Sequence, residues 1–457
     1  MLKCLDFMKR APYVPCNKSQ QEIDKEYKYW RLRIMYSMYM GYVVFYFTRK
    51  NLAFIMPSLV SEMHFSKEQL GLMGSAFYIV YGLSKFLCGI WSDKSNPRYF
   101  MAIGLIASGV TNICFGFSSS ITMLIFFWIL NGFFQGWGWP PCGRLITRWY
   151  SQKERGRWWA IWNTSHNVGG GLIPIIAGLC ATYMGWRSAM FIPGVIAIGV
   201  GIWLINRMRD VPESEGLPPI EEYKNDYPDE TKVVEDDASM WEIINKYLLK
   251  NKYIWILTAA FTLVYIVRTA VNDWGALFLS EQGNSLLSSD SVVSFFELGG
   301  FFGSLVSGWA SDKIFDGRRG PVNVIFCVGI LVSVAAFWFT AHGGFSAHAT
   351  CLFAIGFFIF GPQMLIAIAA VELSHREAAG TSTGFIGFFS YFGAALTGYP
   401  VGYIIHHAGW QGFFITMIIC SLISVGLLSL LWSVKGRRKQ KMTDLEKDLL
   451  EDKLSST

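Results

Sequence analysis

The sequence predicts an all-α membrane protein of twelve transmembrane helices in two six-helix halves, and three observations carry that prediction. The chain is 52% hydrophobic but only 16% charged, with a mean hydropathy of +0.34, so it departs from a soluble domain mainly by losing charge. A bilayer core about 30 Å thick needs roughly 20 apolar residues per helix. Segments of that length recur from residue 33 to residue 434. Finally, Gly89-Ile90-Trp91-Ser92-Asp93-Lys94 after the second segment returns as Gly308-Trp309-Ala310-Ser311-Asp312-Lys313 after the eighth.

In chain order, the first thirty residues are polar and basic, and the apolar segment after them is far longer than a signal core, so the N-terminus is expected to stay in the mature protein. Six spans follow at 33–57, 69–92, 99–118, 121–145, 158–183 and 187–206, closing an N-terminal half over 1–206. The stretch 207–252 carries Pro212, Pro218, Pro219 and Pro228 among Glu221, Glu222, Asp226, Asp229, Glu230, Glu235, Asp236 and Asp237, and reads as a solvated cytoplasmic linker. Six more spans, 253–279, 289–311, 320–341, 346–371, 379–405 and 409–434, make a C-terminal half over 253–434. A charged tail, 435–457, reads as a solvated cytoplasmic helix or coil.

Basic residues near span ends are retained on the cytoplasmic side. Lys3, Lys9, Arg10, Lys18, Lys25, Lys28, Arg31 and Arg33 precede or open the first span, and Lys435, Arg437, Arg438, Lys439 and Lys441 follow the last. Both termini are therefore expected in the cytoplasm. The net charge of +6 is a topology signal, because the basic residues flank spans instead of forming a nucleic-acid-binding domain. Seven of the nine cysteines lie in apolar spans without metal-ligand spacing, and the seven histidines form no ligand cluster. With no nucleotide loop or nucleophile motif, the sequence gives no reason to expect an enzyme, a metal or a cofactor.

The offset that relates the two Gly-to-Lys turns also carries Arg49 of the first span onto Arg268 of the seventh. Two features at one offset argue for parallel repeats about an axis along the membrane normal, with both arginines facing one midplane cavity. Taken singly, either turn is an ordinary capped helix end. Recurring in both halves, each with further basic residues behind it (Arg98; Arg318, Arg319), the turns resemble the signature of the major facilitator superfamily. The resemblance implies that Asp93 and Asp312 belong to loops that latch the cytoplasmic ends while the halves rock.

A cation at the middle of a span costs about 2.5 to 3.5 kcal/mol on insertion scales and faces a cavity or a partner unless it snorkels to the interface. Arg49, Lys85 and Arg268 are such cations. Helical spacing gives each an aromatic neighbour: Tyr42, Tyr46 and Arg49 at i, i+4 and i+7; Tyr81 and Lys85 at i, i+4; Tyr265 and Arg268 at i, i+3. Trp162 and His166 share a face in the same way. A cavity with two arginines and few acids suits an anion, since the guanidinium fork meets two oxygens of a phosphate or carboxylate at once. Asp273 lies five residues beyond Arg268 and turns away from it, so no ion pair between those two is forced. Glu297 is open to three roles: binding substrate hydroxyls, neutralising Lys85, or a purely structural pairing.

Several stretches carry a closer resemblance, over nearly the whole chain, to the organophosphate:phosphate antiporters. They are Tyr46-Phe47-Thr48-Arg49-Lys50-Asn51, Tyr81-Gly82-Leu83-Ser84-Lys85-Phe86, Trp162 through Gly170, Tyr265-Ile266-Val267-Arg268 and Phe360-Gly361-Pro362-Gln363. That resemblance implies phosphate binding by Arg49 and Arg268 with His166 contributing and Lys85 nearby, in a cavity lined by Tyr42, Tyr46, Tyr81, Trp162, Tyr265, Asn272 and Glu297. Where hexose-phosphate carriers have an Asp and a Lys three residues apart in helix 11, this chain aligns Thr383 and Ile386. That departure, with Phe134-Gln135-Gly136-Trp137-Gly138 and Val271-Asn272-Asp273-Trp274-Gly275, resembles the hexose-phosphate sensor branch, whose members signal to a membrane histidine kinase.

The expected activity is uptake of hexose phosphate, with glucose 6-phosphate the substrate named by the resemblance, in electroneutral exchange for inorganic phosphate across the cell (inner) membrane. A sensor with a histidine-kinase partner and a facilitator for another organic anion are the alternatives. Two empty-cavity arginines repel as the halves rock, whereas a bound dianion attracts both, so exchange is the default cycle. A monomer is expected, as is common for this fold.

Overall fold

Small polar residues placed just before apolar runs decide where the helices begin. Ser19 and Glu22 form a capping box at the first helix, α1 (Gln20–Met63), the Ser19 amide donating to Glu22 Oε2 at 2.8 Å. Ser66 and Gln69 do the same for α2 (Lys67–Lys94), and Ser151 and Glu154 for α6 (Gln152–Met184). Asn96 caps α3 (Pro97–Phe117), with Pro97 filling a first-turn position that needs no N–H. Between them α4 (Ile121–Gln135) and α5 (Trp139–Trp149) form one span broken at Gly136–Gly138, ahead of Pro140 and Pro141. After Gly185, at φ 81°, α7 (Ser188–Arg207) completes the first six spans.

The structure is a computed structural model and describes residues 8–226, 249–374 and 379–434. The second set of spans runs through α9 (Lys252–Glu281), α10 (Leu286–Lys313), α11 (Arg319–Phe339), α12 (Phe345–Leu373), α13 (Ala379–Leu396) and α14 (Tyr399–Ser429), with a short α8 (Ile220–Lys224) before them. Among the described residues, ten stretches are long and apolar enough to cross a membrane. One of them, Ser382–Ser429, has 48 residues, enough for two crossings. The 44-residue α1 is outside the ten because its tyrosines and the Arg49–Lys50 pair lower its hydropathy. Counting α1 and the second crossing gives the expected twelve. The eleventh span differs from the continuous 379–405 helix expected, because the chain breaks at Thr397–Gly398 before Pro400, while the non-helical Gly409 (φ 63°) falls at the expected start of the twelfth.

The chain divides into two compact units, one formed by Met1–Val234 with Asp273–Ser294 and the other by Glu235–Asn272 with Phe295–Thr457. In the first unit α1 packs on α6 and α7, α3 on α7 and α4, and α2 on α4. Glycines make these approaches possible: a Cβ on Gly169 of α6 would sit 2.7 Å from the Val43 carbonyl oxygen of α1, and one on Gly109 of α3 would sit 2.5 Å from that of Gly194 in α7. In the second unit α11 packs on α12 and α14. There, Gly299 and Gly303 of α10 and Gly356 of α12 have no room for a Cβ, which lets the two backbones touch.

The first part of the expected linker is not solvated. Met208, Val211, Leu217 and Ile220 are buried, and 208–226 forms a strap over the ends of the first-unit helices. Asp210 is 1% exposed and accepts from the Ala11 amide (3.0 Å) and Arg144 Nη2 (2.8 Å). Tyr223 stacks on Tyr27 of α1 at 4.0 Å, and Asp226 accepts from the Lys153 amide at 3.0 Å. Acidic side chains here satisfy helix ends and cations, which a charge count cannot distinguish from solvation. Pro228, Asp229, Glu230, Glu235, Asp236, Asp237 and the tail 435–457 lie outside the described residues.

Candidate functional site

Arg49 occupies the middle of α1 and is 7% exposed. Its Nε donates to Gln135 Oε1 at 2.9 Å, while Gln135 Nε2 donates back to Thr48 Oγ1 at 2.9 Å. Gln135 is the last residue of α4 before the break, so the break presents its amide at the level of Arg49. Asn131, one turn earlier, donates to the Thr48 carbonyl at 2.7 Å, and Asn112 of α3 donates to the same oxygen at 3.2 Å. Gln135 thus orients the guanidinium, and polar groups of α3 and α4 hold the Thr48 backbone beside it.

Two aromatic faces complete the seat. The guanidinium carbon lies 4.5 Å from the Tyr46 ring centroid and 4.6 Å from that of Tyr81. Tyr42 packs on Trp162 with centroids 4.9 Å apart, and Tyr46 faces His166 at 6.1 Å. Lys85, half-buried one turn beyond Tyr81, places its Nζ 5.1 Å from the Trp139 ring centroid. The contacts of Arg49 with Gln135, Tyr46 and Tyr81 are with neutral groups and orient the guanidinium. The first unit thus gathers Arg49, Tyr42, Tyr46, Tyr81, Trp162 and His166 into one cluster, with Lys85 beside it.

The second unit holds a simpler arrangement. Arg268 of α9 is half-buried, with its guanidinium carbon 4.9 Å from the Phe360 ring centroid of α12 and 5.5 Å from that of Tyr265. Tyr265 also faces Tyr391 of α13 at 6.1 Å. Asn272 (5% exposed) and Glu297 of α10 (1%) are buried in the same unit. Phe360-Gly361-Pro362 supplies the ring that Arg268 stacks on, and Pro362 lies inside α12 without ending it.

The repeated turns differ in what can be described. Asp312 accepts from Arg319 Nη1 at 2.6 Å, and Arg319 reaches Glu372 at 2.9 Å and Ser311 Oγ at 2.9 Å, tying the ends of α10, α11 and α12 together. Asp93 lies in the last turn of α2, but its side chain is outside the described residues. On the first-unit side Arg144 Nη1 donates to the Ser92 carbonyl at 2.9 Å.

Two site elements escaped the sequence reading. Lys50 Nζ makes a 2.7 Å ion pair with Asp273 Oδ1, and Tyr78 OH joins both, 3.2 Å from Lys50 and 2.6 Å from Asp273 Oδ2. Asp273 does turn away from Arg268, and Lys50 is the cation it meets. The signal was present: a second mid-span cation next to Arg49 carries the same insertion cost and needs a partner of its own. Gln135 stood in the sequence within the Phe134–Gly138 stretch that resembles the sensor branch, with nothing to tie it to Arg49.

Residues 38–398 match the family model described as the Major Facilitator Superfamily. The chain is 52% identical over 428 residues to a protein of Chlamydia pneumoniae called probable hexose phosphate transport protein, covering 91% of this chain and 94% of that one. It is 50% identical over 426 residues to the membrane sensor protein UhpC of Escherichia coli strain K12, covering 93% and 97%. Among solved structures it is similar to a bacterial homolog of the human lysosomal transporter Spinster, with a TM-score of 0.69 at 15% identity over 88% of this chain and 96% of that one. That likeness speaks for the fold.

Proposed function

Since the chain belongs to the major facilitator superfamily, and within it to the organophosphate:phosphate antiporters, we propose that it carries hexose phosphate into the cell in exchange for inorganic phosphate. The observation that carries this reading is the seating of Arg49: buried in α1, aimed by Gln135, and held between two tyrosine faces. A guanidinium so placed offers a bidentate fork to phosphate oxygens. Arg268 is the repeat-related partner, His166 and Lys85 assist at the phosphate, and Tyr42, Tyr46, Tyr81, Trp162, Tyr265, Asn272 and Glu297 surround the sugar phosphate. The cycle is one of alternating access in the inner membrane with both termini cytoplasmic. The six-helix halves 1–206 and 253–434 are its moving parts, Asp93 and Asp312 lie in its latching loops, and the protein acts as a monomer.

The name of the sensor relative favours a second reading, in which external glucose 6-phosphate is bound and reported to a histidine kinase with little flux. Liposomes loaded with phosphate and containing the purified protein decide between them. Uptake of labelled glucose 6-phosphate that requires internal phosphate is the expected result. Saturable binding without such uptake transfers the assignment to the sensor, and the absence of both directs it to another organic anion.

A further inference from the structure

Near the start of α10, away from every group assigned to phosphate, Asp290 is 0% exposed and neither carboxylate oxygen has a hydrogen-bond partner among the described residues. The side chain packs on α6: a Cβ built on Gly178 would lie 3.0 Å from Asp290 Cβ and 3.1 Å from its Oδ2, and 3.4 Å from Leu287 Cδ1. Both residues belong to the first unit. The hydroxyls of Ser289 and Ser294, on either side of Asp290 in α10, are likewise buried without partners.

Among the described residues, the charges that could hold an anion here are absent or engaged elsewhere. From Asn167 to Met184, α6 carries no acidic or basic residue, and its titratable groups are Cys180 (8% exposed) and the outward Tyr183 (76%). In the first-unit part of α9, Asp273 is paired with Lys50 and Glu281 with Lys67. Along α10 the next acid is Glu297, two turns on. Desolvating a carboxylate costs several kcal/mol, whereas proximity to a helix start returns about 0.3 to 1 kcal/mol in exposed settings and at most about 2. The field of the helix start is therefore the smaller effect, and the buried carboxyl packed against Gly178 has no described cation to offset its desolvation.

We propose that Asp290 is a proton-binding site that ties the contact of α10 with α6 at Gly178 to the pH of the side reached by the α9–α10 turn. While α10 lies on α6 the proton is retained. When the two part and water enters, the proton leaves to that same side, so it is a gating ligand and not cargo. Acid therefore favours the packed arrangement and alkali the parted one, by up to tenfold per pH unit between the buried and hydrated ionisations. This rests on the transport reading for which side is external and for what parting accomplishes.

The test compares wild type with Asp290→Asn, whose amide is neutral at every pH. Exchange is measured in liposomes across external pH 5.5 to 7.5, and the ratio of the two profiles removes the ionisation common to the substrate phosphate. The expected result is that wild type responds to external pH several-fold more steeply than the variant, which stays at the rate wild type shows in acid. In parallel, infrared spectra of the purified protein at neutral pH should show a protonated carboxyl band that Asp290→Asn lacks. If the Asn variant is not inserted, Asp290→Ser serves both measurements. Parallel pH profiles, a missing difference band, or replacement of the pH response by a sodium requirement would overturn the proposal. Should liposomes show no exchange at all, the transport reading fails, while the infrared comparison still decides the protonation of Asp290.

Discussion

Arg49 shows how far a single residue could be read. Its depth in the span and its tyrosine neighbours followed from spacing, because a helix puts i, i+4 and i+7 on one face whatever the tertiary structure. Gln135 did not follow, since it is 86 positions away and reaches Arg49 only through the break after α4. Arg49→Lys keeps the charge and loses the fork, so glucose 6-phosphate exchange should fall at least about tenfold at normal surface expression. Wild-type rates in that variant would remove Arg49 from the phosphate site. Gln135→Leu leaves the fork but frees its aim, and is expected to raise the half-saturating substrate concentration roughly tenfold with less effect on the maximal rate. Lys50 and Asp273 make a separate case. Asp273→Asn strands a largely buried ammonium and should lower thermal stability in detergent, and the double variant Lys50→Met, Asp273→Leu should recover most of the loss, because removing both charges also removes their desolvation. Equal melting temperatures in wild type and the single variant would show that the pair contributes nothing.

Elements were legible where their punctuation is local. Ser19, Ser66, Asn96 and Ser151 announce helix starts through their own side chains, and Gly136–Gly138 before two prolines announces a break. The strap at 208–226 differs from the solvated linker expected because its prolines and acids have a linker's composition, while its fate depends on partners in α1, α5 and α6. The Lys153 amide, its main support, holds the Asp226 carboxyl below its ordinary value; at Glu154 burial pushes upward, but Arg31 outweighs it and keeps that carboxyl low as well. Both folded values are depressed, so their contribution is complete above the unfolded carboxylate range near 4 and is lost as pH falls through the folded values. Burial pushes the Asp210 carboxyl up, a contribution of opposite sign at the other end of the strap, so acidification below about pH 4 should release the Asp226 end alone, read as faster proteolysis next to Asp226 at low pH than at pH 6. A glycine makes the opposite kind of prediction. Gly169→Val has no space against Val43 and Tyr46, and displacing α6 from α1 should cost about 1 to 3 kcal/mol of stability and abolish binding at the neighbouring tyrosines. Normal phosphate binding by that variant would separate the α1–α6 packing from the site.

At the scale of the whole molecule, the twelve crossings and the repeat were readable because lipid imposes one rule on every span and gene-length symmetry leaves paired signals such as Asp93 with Asp312. Long-range pairing was not readable: nothing in the sequence alone joins Lys50 to Asp273 or Gly178 to Asp290. The proposed cycle makes a claim that only the intact protein in a sealed membrane can test. If a sugar-phosphate dianion enters as a phosphate dianion leaves, no net charge crosses. A proton that binds and leaves Asp290 from one side adds none. Near pH 8, where both phosphates are dianions, the accumulation ratio should be unchanged by a potassium diffusion potential of about 100 mV, because the field has no charge to act on. Movement of one elementary charge per cycle would instead be driven by about 2.3 kcal/mol, shifting that ratio roughly 50-fold. A shift of that size would exclude electroneutral exchange. An unchanged ratio together with a requirement for internal phosphate would tie the two arginines to dianions carried in opposite directions.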